Sequence, residues 1–575
     1  MRTPRSLYVA LTLAILLSLA ASAQSPQKPD AATQAWWNQT IALSNDAMEG
    51  RDTGTDAYER AAQYVAGQFQ AAGLKPGGDN GTFFQRVPMH QTDLRENISS
   101  VEIVNTAGKT ATLHFPTDVT TVPRPNPDSN DGPGGGAGIG IDARTSLIFL
   151  GYGMPDTSLD LKGKVVVFFN NTPTSLPPAD RETYSARRLR ALTQAGVAAA
   201  ISIDNPSAIE PFHWPAAYAR SVTLAGTQAA NTKAPVIIRI NPASLDALFA
   251  SSGHSPTDIV IDGGKGTPLA TFPLNVTAHI NISTTDKDIS SPNILAILPG
   301  SDPKLAPEYV ALSAHLDGYG YGTPVLGDNL YNGTLDDAAY VALLTELAHD
   351  LVRNRTVRAL KNELHGGSHP PCTPDHPKES AQPCSPPFVP RPLQPARSIL
   401  FCIFTGEEKG LLGSAYFTQH LTVPKESIVA NLNLDQLRPI FPLNILTMEG
   451  LTDSTLGDTV RTVAAQFKIE IRPDLEPERN LFRRADNYNF VRIGVPVAAF
   501  VFGYDKGSPE EVTYRDWYAR RYHKPQDDIQ TPIDWDAASK FNRFYTSLAL
   551  TIANAPTRPQ WLPSSPYSPN QNTAK

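Results

Sequence analysis

From Asn293 onward the chain repeats one pattern, and that pattern constrains the fold more than any other feature. Short, nearly uninterrupted apolar runs stand at 294–298, 309–314, 399–404, 428–434 and 495–502. A strand with one wet face alternates apolar and polar residues, whereas a strand covered on both faces does not need to. Between the runs lie helical patterns, such as 338–352 with Val341, Leu344, Leu347, Ala348 and Leu351 on one stripe. The alternation predicts an α/β fold over 285–560, with a mostly parallel central sheet and helices on both faces. A proline-rich insertion at 362–396 interrupts it and is expected to be a surface loop.

The rest of the chain has a different texture. A length of 575 residues exceeds what one hydrophobic core usually serves. Residues 24–105 are expected to form the N-terminal part of the same domain. The stretch 24–95 looks helical, and within 58–72 Ala61, Ala62, Val65, Phe69 and Ala72 share a face before Gly73 stops the helix. Strand-like runs at 147–153, 163–169 and 197–203, a helix-like 185–196 and a Gly/Pro-rich 123–140 predict a smaller inserted α/β module over 106–284. Residues 1–23 combine Arg2 and Arg5, a short apolar run and Ala21-Ser22-Ala23, the layout of a cleaved signal peptide. The expected product is exported, periplasmic or extracellular, and keeps no stable membrane anchor. Residues 561–575 read as a disordered tail.

Composition removes several classes of function. With 49 Lys+Arg against 56 Asp+Glu and a net charge of −7, the chain has no basic footprint for nucleic acid. Three cysteines cannot build a disulfide scaffold or a cysteine zinc site. Cys372 and Cys384 sit in one proline-rich loop and could close a small disulfide in an oxidising compartment; the sequence leaves that open. Cys402 lies inside an apolar run and reads as a buried hydrophobe.

Chemistry gathers just after the buried runs, where open α/β sheets place their ligands. His315 and Asp317 follow one run, Asp336 and Asp337 precede the 338 helix, and Glu407 and Glu408 follow Phe404-Thr405-Gly406. Asp435 ends another run, and His523 stands in Arg521-Tyr522-His523-Lys524. Singly, each reads equally well as a helix cap, a turn or a satisfied polar group; five such coincidences at strand ends point to one site. Imidazole nitrogens with carboxylate oxygens suit zinc, and two cations close together need a shared ligand with terminal ligands on each side. In that reading Asp336 bridges, His315 and Asp435 complete one zinc, and Glu408 and His523 the other. Glu407 is left as general base, and the Asp317 carboxylate would hold the outer nitrogen of His315. His365, His369 and His376 form a rival cluster without strand support and read as surface histidines.

The motifs His315-Leu316-Asp317, Gly333-Thr334-Leu335-Asp336-Asp337, Gly406-Glu407-Glu408-Lys409-Gly410, Asn433-Leu434-Asp435 and Tyr522-His523 resemble those of the secreted di-zinc aminopeptidases, metallopeptidase family twenty-eight. The likeness covers roughly 30–95 and 285–555. Phe149-Leu150-Gly151-Tyr152-Gly153 and Leu161-Lys162-Gly163-Lys164-Val165-Val166 resemble the protease-associated domain that this family often carries as an insertion. The resemblance implies two Zn2+ per chain held by His315, Asp336, Glu408, Asp435 and His523, with Glu407 as base and a cis peptide between Asp336 and Asp337. It also matches Tyr522 to a tyrosine that steadies the oxyanion in some relatives, while a packed aromatic is an equal reading. Asn487 stands where many relatives have histidine, and Ala338-Ala339-Tyr340 depart from the usual Gly or Ser.

The implied activity is a co-catalytic metallopeptidase, a zinc exopeptidase removing N-terminal residues from peptide or protein substrates. A carboxypeptidase or dipeptidase is the alternative, with Arg438, Arg483 or Arg484 holding a substrate carboxylate. A non-catalytic partner-binding relative is the second alternative, against which the intact ligand set and base count.

Overall fold

The apolar runs become strands because their side chains are buried on both sides. Ser398–Phe404, Ile428–Asn433 and Val497–Gly503 are buried at every position. The computed structural model describes residues 28–568 except 122–140, 157, 178–179, 182, 208–219, 227–233, 365–393 and 436. The leader at 1–23, Cys372, Cys384, His365, His369 and His376 lie outside the described residues, as does most of the proline-rich insertion.

The main sheet runs, edge to edge, through Glu470–Arg472, Ile445–Glu449, Val497–Gly503, Ile428–Asn433, Tyr309–His315, Ser398–Phe404, Thr284–Leu298, Phe84–Leu94 and Arg220–Leu224. Its centre is parallel: Tyr309–His315 pairs in parallel with both 398–404 and 428–433, and 428–433 with 497–503. The flanks are largely antiparallel. One face packs Leu312, Phe401, Leu432 and Phe500 against helices Ala31–Ser44, Asp56–Ala72, Leu456–Gln466 and Trp535–Ala553. The opposite face packs Leu295, Leu400, Cys402 and Phe404 against Phe417, Phe490 and Val491 of helices Leu412–Gln419 and Asn487–Arg492. Alternate side chains of one strand therefore serve two cores, which is why the runs have no polar alternation. Cys402 is wholly buried and unpaired.

A second sheet of eight strands spans residues between Ser100 and Ile282. Its core is separate, with Phe149, Val167, Ile201, Ile238 and Ala278 among its members. Three features differ from the sequence reading. Residues 84–94, expected within a helical stretch, form a strand, because Val87 and Met89 alternate with exposed neighbours and pair with 284–294. Arg220–Leu224, encoded between strands of the second sheet, pairs instead with Phe84–Leu94 in the main one. Residues 561–568, expected as disordered tail, lie against the body: Trp561 Nε1 donates to the Gly494 carbonyl and Tyr567 packs on Phe482. Among the described residues no helix is long and apolar enough to cross a membrane.

Candidate metal centre

His315, Glu408 and Asp435 are delivered by the carboxyl end of a strand or the loop that follows, and Asp336 and His523 by segments next to helices. His315 is the last residue of Tyr309–His315, and its backbone N–H donates to Asp337 at 3.2 Å. Asp435 lies two residues beyond Ile428–Asn433 and is buried. Glu407 and Glu408 follow Ser398–Phe404, and their backbone N–H groups donate to the Asp317 carboxylate at 3.0 and 3.2 Å. Asp336 and Asp337 sit at the entrance of the long helix Ala339–Leu364, joined by a cis peptide. His523 lies in the turn after helix Pro509–Arg520.

These side chains converge. His315 Nε2 is 3.4 Å from Asp336 Oδ1, while His523 Nε2 is 3.3 Å from Asp336 Oδ2 and 3.4 Å from Glu408 Oε2. Ligand atoms of His315, Asp336 and Asp435 lie within 4.8 Å of one another, and so do those of Asp336, Glu408 and His523. The two sets share Asp336, one oxygen toward each histidine. A third set, His315, Glu407 and Glu408, meets the same limit. All five predicted ligands and Glu407 thus meet in one place.

The donor set fits divalent cations. Asp336 Oδ2 is buried without a hydrogen-bond partner, a cost that an ion at that oxygen removes. Burial, together with Asp435 and Glu408 and against His315, pushes the Glu407 carboxyl well above its usual range. Burial likewise lifts Glu408 to about 7, with His523 opposing. Carboxylates crowded out of water in this way gain from a shared positive charge. Asp336 goes the other way: against burial, Arg438 and the two imidazoles hold it well below the ordinary carboxylate range.

A cavity of about 420 Å³ opens onto the cluster, lined among others by Asp336, Glu407, Glu408, Tyr522, His523 and Arg484. Tyr522 is buried and stacks on His523 with ring centroids 3.7 Å apart. Of the three arginines considered for a substrate carboxylate, Arg483 and Arg484 are exposed on the lining. Arg438 is fully buried beneath the site: its Nη2 is 3.5 Å from Asp336 and its guanidinium lies 4.3 Å over Trp517. A charge so placed serves Asp336 and cannot reach a substrate.

Asp317 corrects one expectation. The outer nitrogen of His315 meets the main-chain carbonyl of Asp317 at 3.0 Å, not its carboxylate, which is 3.8 Å away. The carboxylate is already committed to the two glutamate N–H groups and to Thr53 Oγ1. A main-chain carbonyl fixes the imidazole tautomer as well as a carboxylate does.

Three supporting residues escaped the sequence reading. Tyr319 Oη lies 3.1 Å from His523 Nδ1, leaving Nε2 to face the carboxylates. Asp527 accepts from the N–H groups of Leu335 and Asp336, both at 3.0 Å. Arg51, fully buried, donates to the carbonyls of Leu43, Leu316, Asn332 and Gly333, each at 2.8 Å, and so ties the His315 loop to the Asp336 loop. Gly333 between them has φ +58, and a Cβ there would stand 2.5 Å from the Asp336 carbonyl. These partners are distant in sequence, so no local pattern signals them.

The pocket brings an imidazole and several carboxylates together near the carboxyl ends of parallel strands covered on both faces, a donor set that suits divalent cations. Residues 293–549 match the model of Peptidase family M28. Among solved structures, the fold is similar to an aminopeptidase from Aneurinibacillus sp. strain AM-1, with TM-score 0.53, 16% identity and coverage of 92% of this chain and 95% of that one. It is also similar to BSAP, a zinc aminopeptidase from Bacillus subtilis, with TM-score 0.51, 17% identity and coverage of 91% and 95%. No curated protein matches the chain.

Proposed function

We propose that the chain is a zinc exopeptidase, an aminopeptidase that hydrolyses the N-terminal bond of peptides with two Zn2+ per chain. The observation that carries this reading is the sharing of Asp336 between two ligand sets, His315–Asp336–Asp435 and Asp336–Glu408–His523, with Glu407 beside both. Bound there, the cations would supply Lewis-acid polarisation of a carbonyl and a more acidic water.

The chain's own residues do the rest. Glu407 takes one proton from the attacking water and returns it to the departing amine as the C–N bond breaks, so protons balance over the cycle. Asp317, through the N–H groups of Glu407 and Glu408, keeps that carboxylate aimed into the pocket. Tyr522 donates its hydroxyl to the oxygen that gains charge, a role supported by its place on the lining beside His523. A carboxylate of the pocket holds the substrate's free amine. The segment 106–284 is read as a protease-associated module, and the leader at 1–23 as the signal for export to the periplasm or outside the cell.

Arg483 and Arg484 on the pocket lining favour a second reading, a carboxypeptidase or dipeptidase that grips a terminal carboxylate. Amino-acid anilides assayed beside N-blocked peptides with free C-termini separate the two. Glu407→Gln should keep two zincs by metal analysis and lose about 10²–10⁴-fold in kcat. Wild-type protein that binds zinc yet turns over no peptide faster than Glu407→Gln would be a binding protein instead.

A further inference from the structure

The segment inserted between the two halves of the main sheet is tied, through Arg220, to a turn that itself contacts the loops of the metal site. Arg220 begins the strand Arg220–Leu224, which lies along Phe84–Leu94 at the sheet edge. It is buried, and its guanidinium donates to the Asp52 carboxylate and to the main-chain carbonyl of Thr53. Both acceptors belong to the turn between helices 31–44 and 56–72, which Thr55 closes by donating to the Asp52 carbonyl at 2.6 Å.

Two buried contacts leave that turn for the glutamate loop. Asp52 Oδ1 faces Lys409 Nζ at 3.1 Å, and both side chains are 6% exposed. Lys409 directly follows Glu408 and lies 5.1 Å over the ring of Tyr319, whose hydroxyl meets His523. Thr53 Oγ1 donates at 3.1 Å to Asp317 Oδ2, the carboxylate that receives the Glu407 and Glu408 N–H groups. Arg220 therefore holds both ends of a brace: one arm runs through Asp52 and Lys409, the other through Thr53 and Asp317. The first ends on Lys409, the residue after Glu408, and the second on the N–H groups of Glu407 and Glu408.

We infer that Arg220 is a positioning residue of the reaction, through which the inserted segment sets the placement of the Glu407–Glu408 loop. The inference rests on the peptidase reading above. Removing the guanidinium leaves a buried carboxylate with half its cationic surroundings and a buried carbonyl without its donor. Asp52 and Thr53 then relax, and Glu407 loses its aim without losing its chemistry. Misplacement of a base by an ångström is enough to cost most of its catalytic worth.

The test uses the full-length, zinc-loaded protein and an aminoacyl anilide. Arg220→Met should lower kcat about 10-fold or more, as loss of an outer-shell partner does, with KM and zinc content unchanged. Arg220→Lys, which keeps one charge but not the fork, should fall between wild type and Arg220→Met. Lys409→Met breaks the other arm and should lower kcat in the same way, with less than multiplicative loss when combined with Arg220→Met. Val222→Ala on the same strand, packed on Val87 and Met89, should lower the melting temperature and keep kcat, separating placement from stability. If Arg220→Met does not fold, Arg220→Lys and Lys409→Met carry the test. Wild-type kcat in both, with Glu407→Gln inactive, overturns the inference and leaves the peptidase reading standing. Full activity in Glu407→Gln overturns the peptidase reading itself.

Discussion

Asp336 shows how one side chain can be held ionised in a buried place. Arg438 lies below it, an imidazole stands at each oxygen, and Asp527 receives its backbone N–H. None of those four supports adjoins it in the chain. His315, Glu408 and Asp435 are legible because each stands where an apolar run stops, and a histidine or carboxylate in that place needs a reason; Asp336 and His523 are legible from their motifs. Tyr319, Arg51, Asp527 and Arg438 were not legible in these roles, since each works on a partner brought near only by the fold. Tyr319 is the most accessible to experiment. Tyr319→Phe removes the hydroxyl from His523 Nδ1 and keeps the ring. Zinc affinity at the His523 side should fall about 10- to 100-fold, measured by competition with a chelating dye, with the melting temperature of the metal-free protein little changed.

Loops and strands divide the work between them. The strands were readable from their uninterrupted apolar runs, whereas 84–94 was misread because its alternation is short and follows a helical stretch. The loop from Gly333 to Asp337 owes its shape to Arg51, Asp527 and a left-handed glycine. Gly333→Ala meets both a disfavoured left-handed φ and a clash with the Asp336 carbonyl, so it should cost more than about 1 kcal/mol in denaturant unfolding and reduce bound zinc. One strand in from the Glu470–Arg472 edge, Glu449 closes the strand Ile445–Glu449, buried near Asp474 and Arg479. Burial and Asp474, against Arg479, push its carboxyl up to about 8. Because the folded value is the raised one, its contribution to stability is full below the ordinary carboxylate range and is lost as pH rises through about 8. Wild type should therefore lose melting temperature between roughly pH 5 and pH 9 relative to Glu449→Gln. A parallel pH dependence in the two proteins would contradict this placement of the charge.

Among the described residues, two large sheets with separate cores are joined through long strands, and metal bound at the site would act on the stability of the larger one. If two zincs bind only the folded state, each should add about 2.7 kcal/mol at a hundred times its dissociation constant. Melting temperature should then rise with free zinc and fall on chelation, while Glu407→Gln shows the same rise. A flat response would remove zinc from the account. The sequence suggests two α/β regions from their texture but carries no sign that one short strand crosses between them, because strand pairing leaves no local mark. That crossing has a consequence for anyone who edits the gene. Cutting out 106–284 and rejoining the flanks would strip the outer strand from Phe84–Leu94 and leave a row of unmated amides and carbonyls. Bare borders of this kind recruit other chains, so the shortened product would be prone to clump even if its zinc ligands were intact.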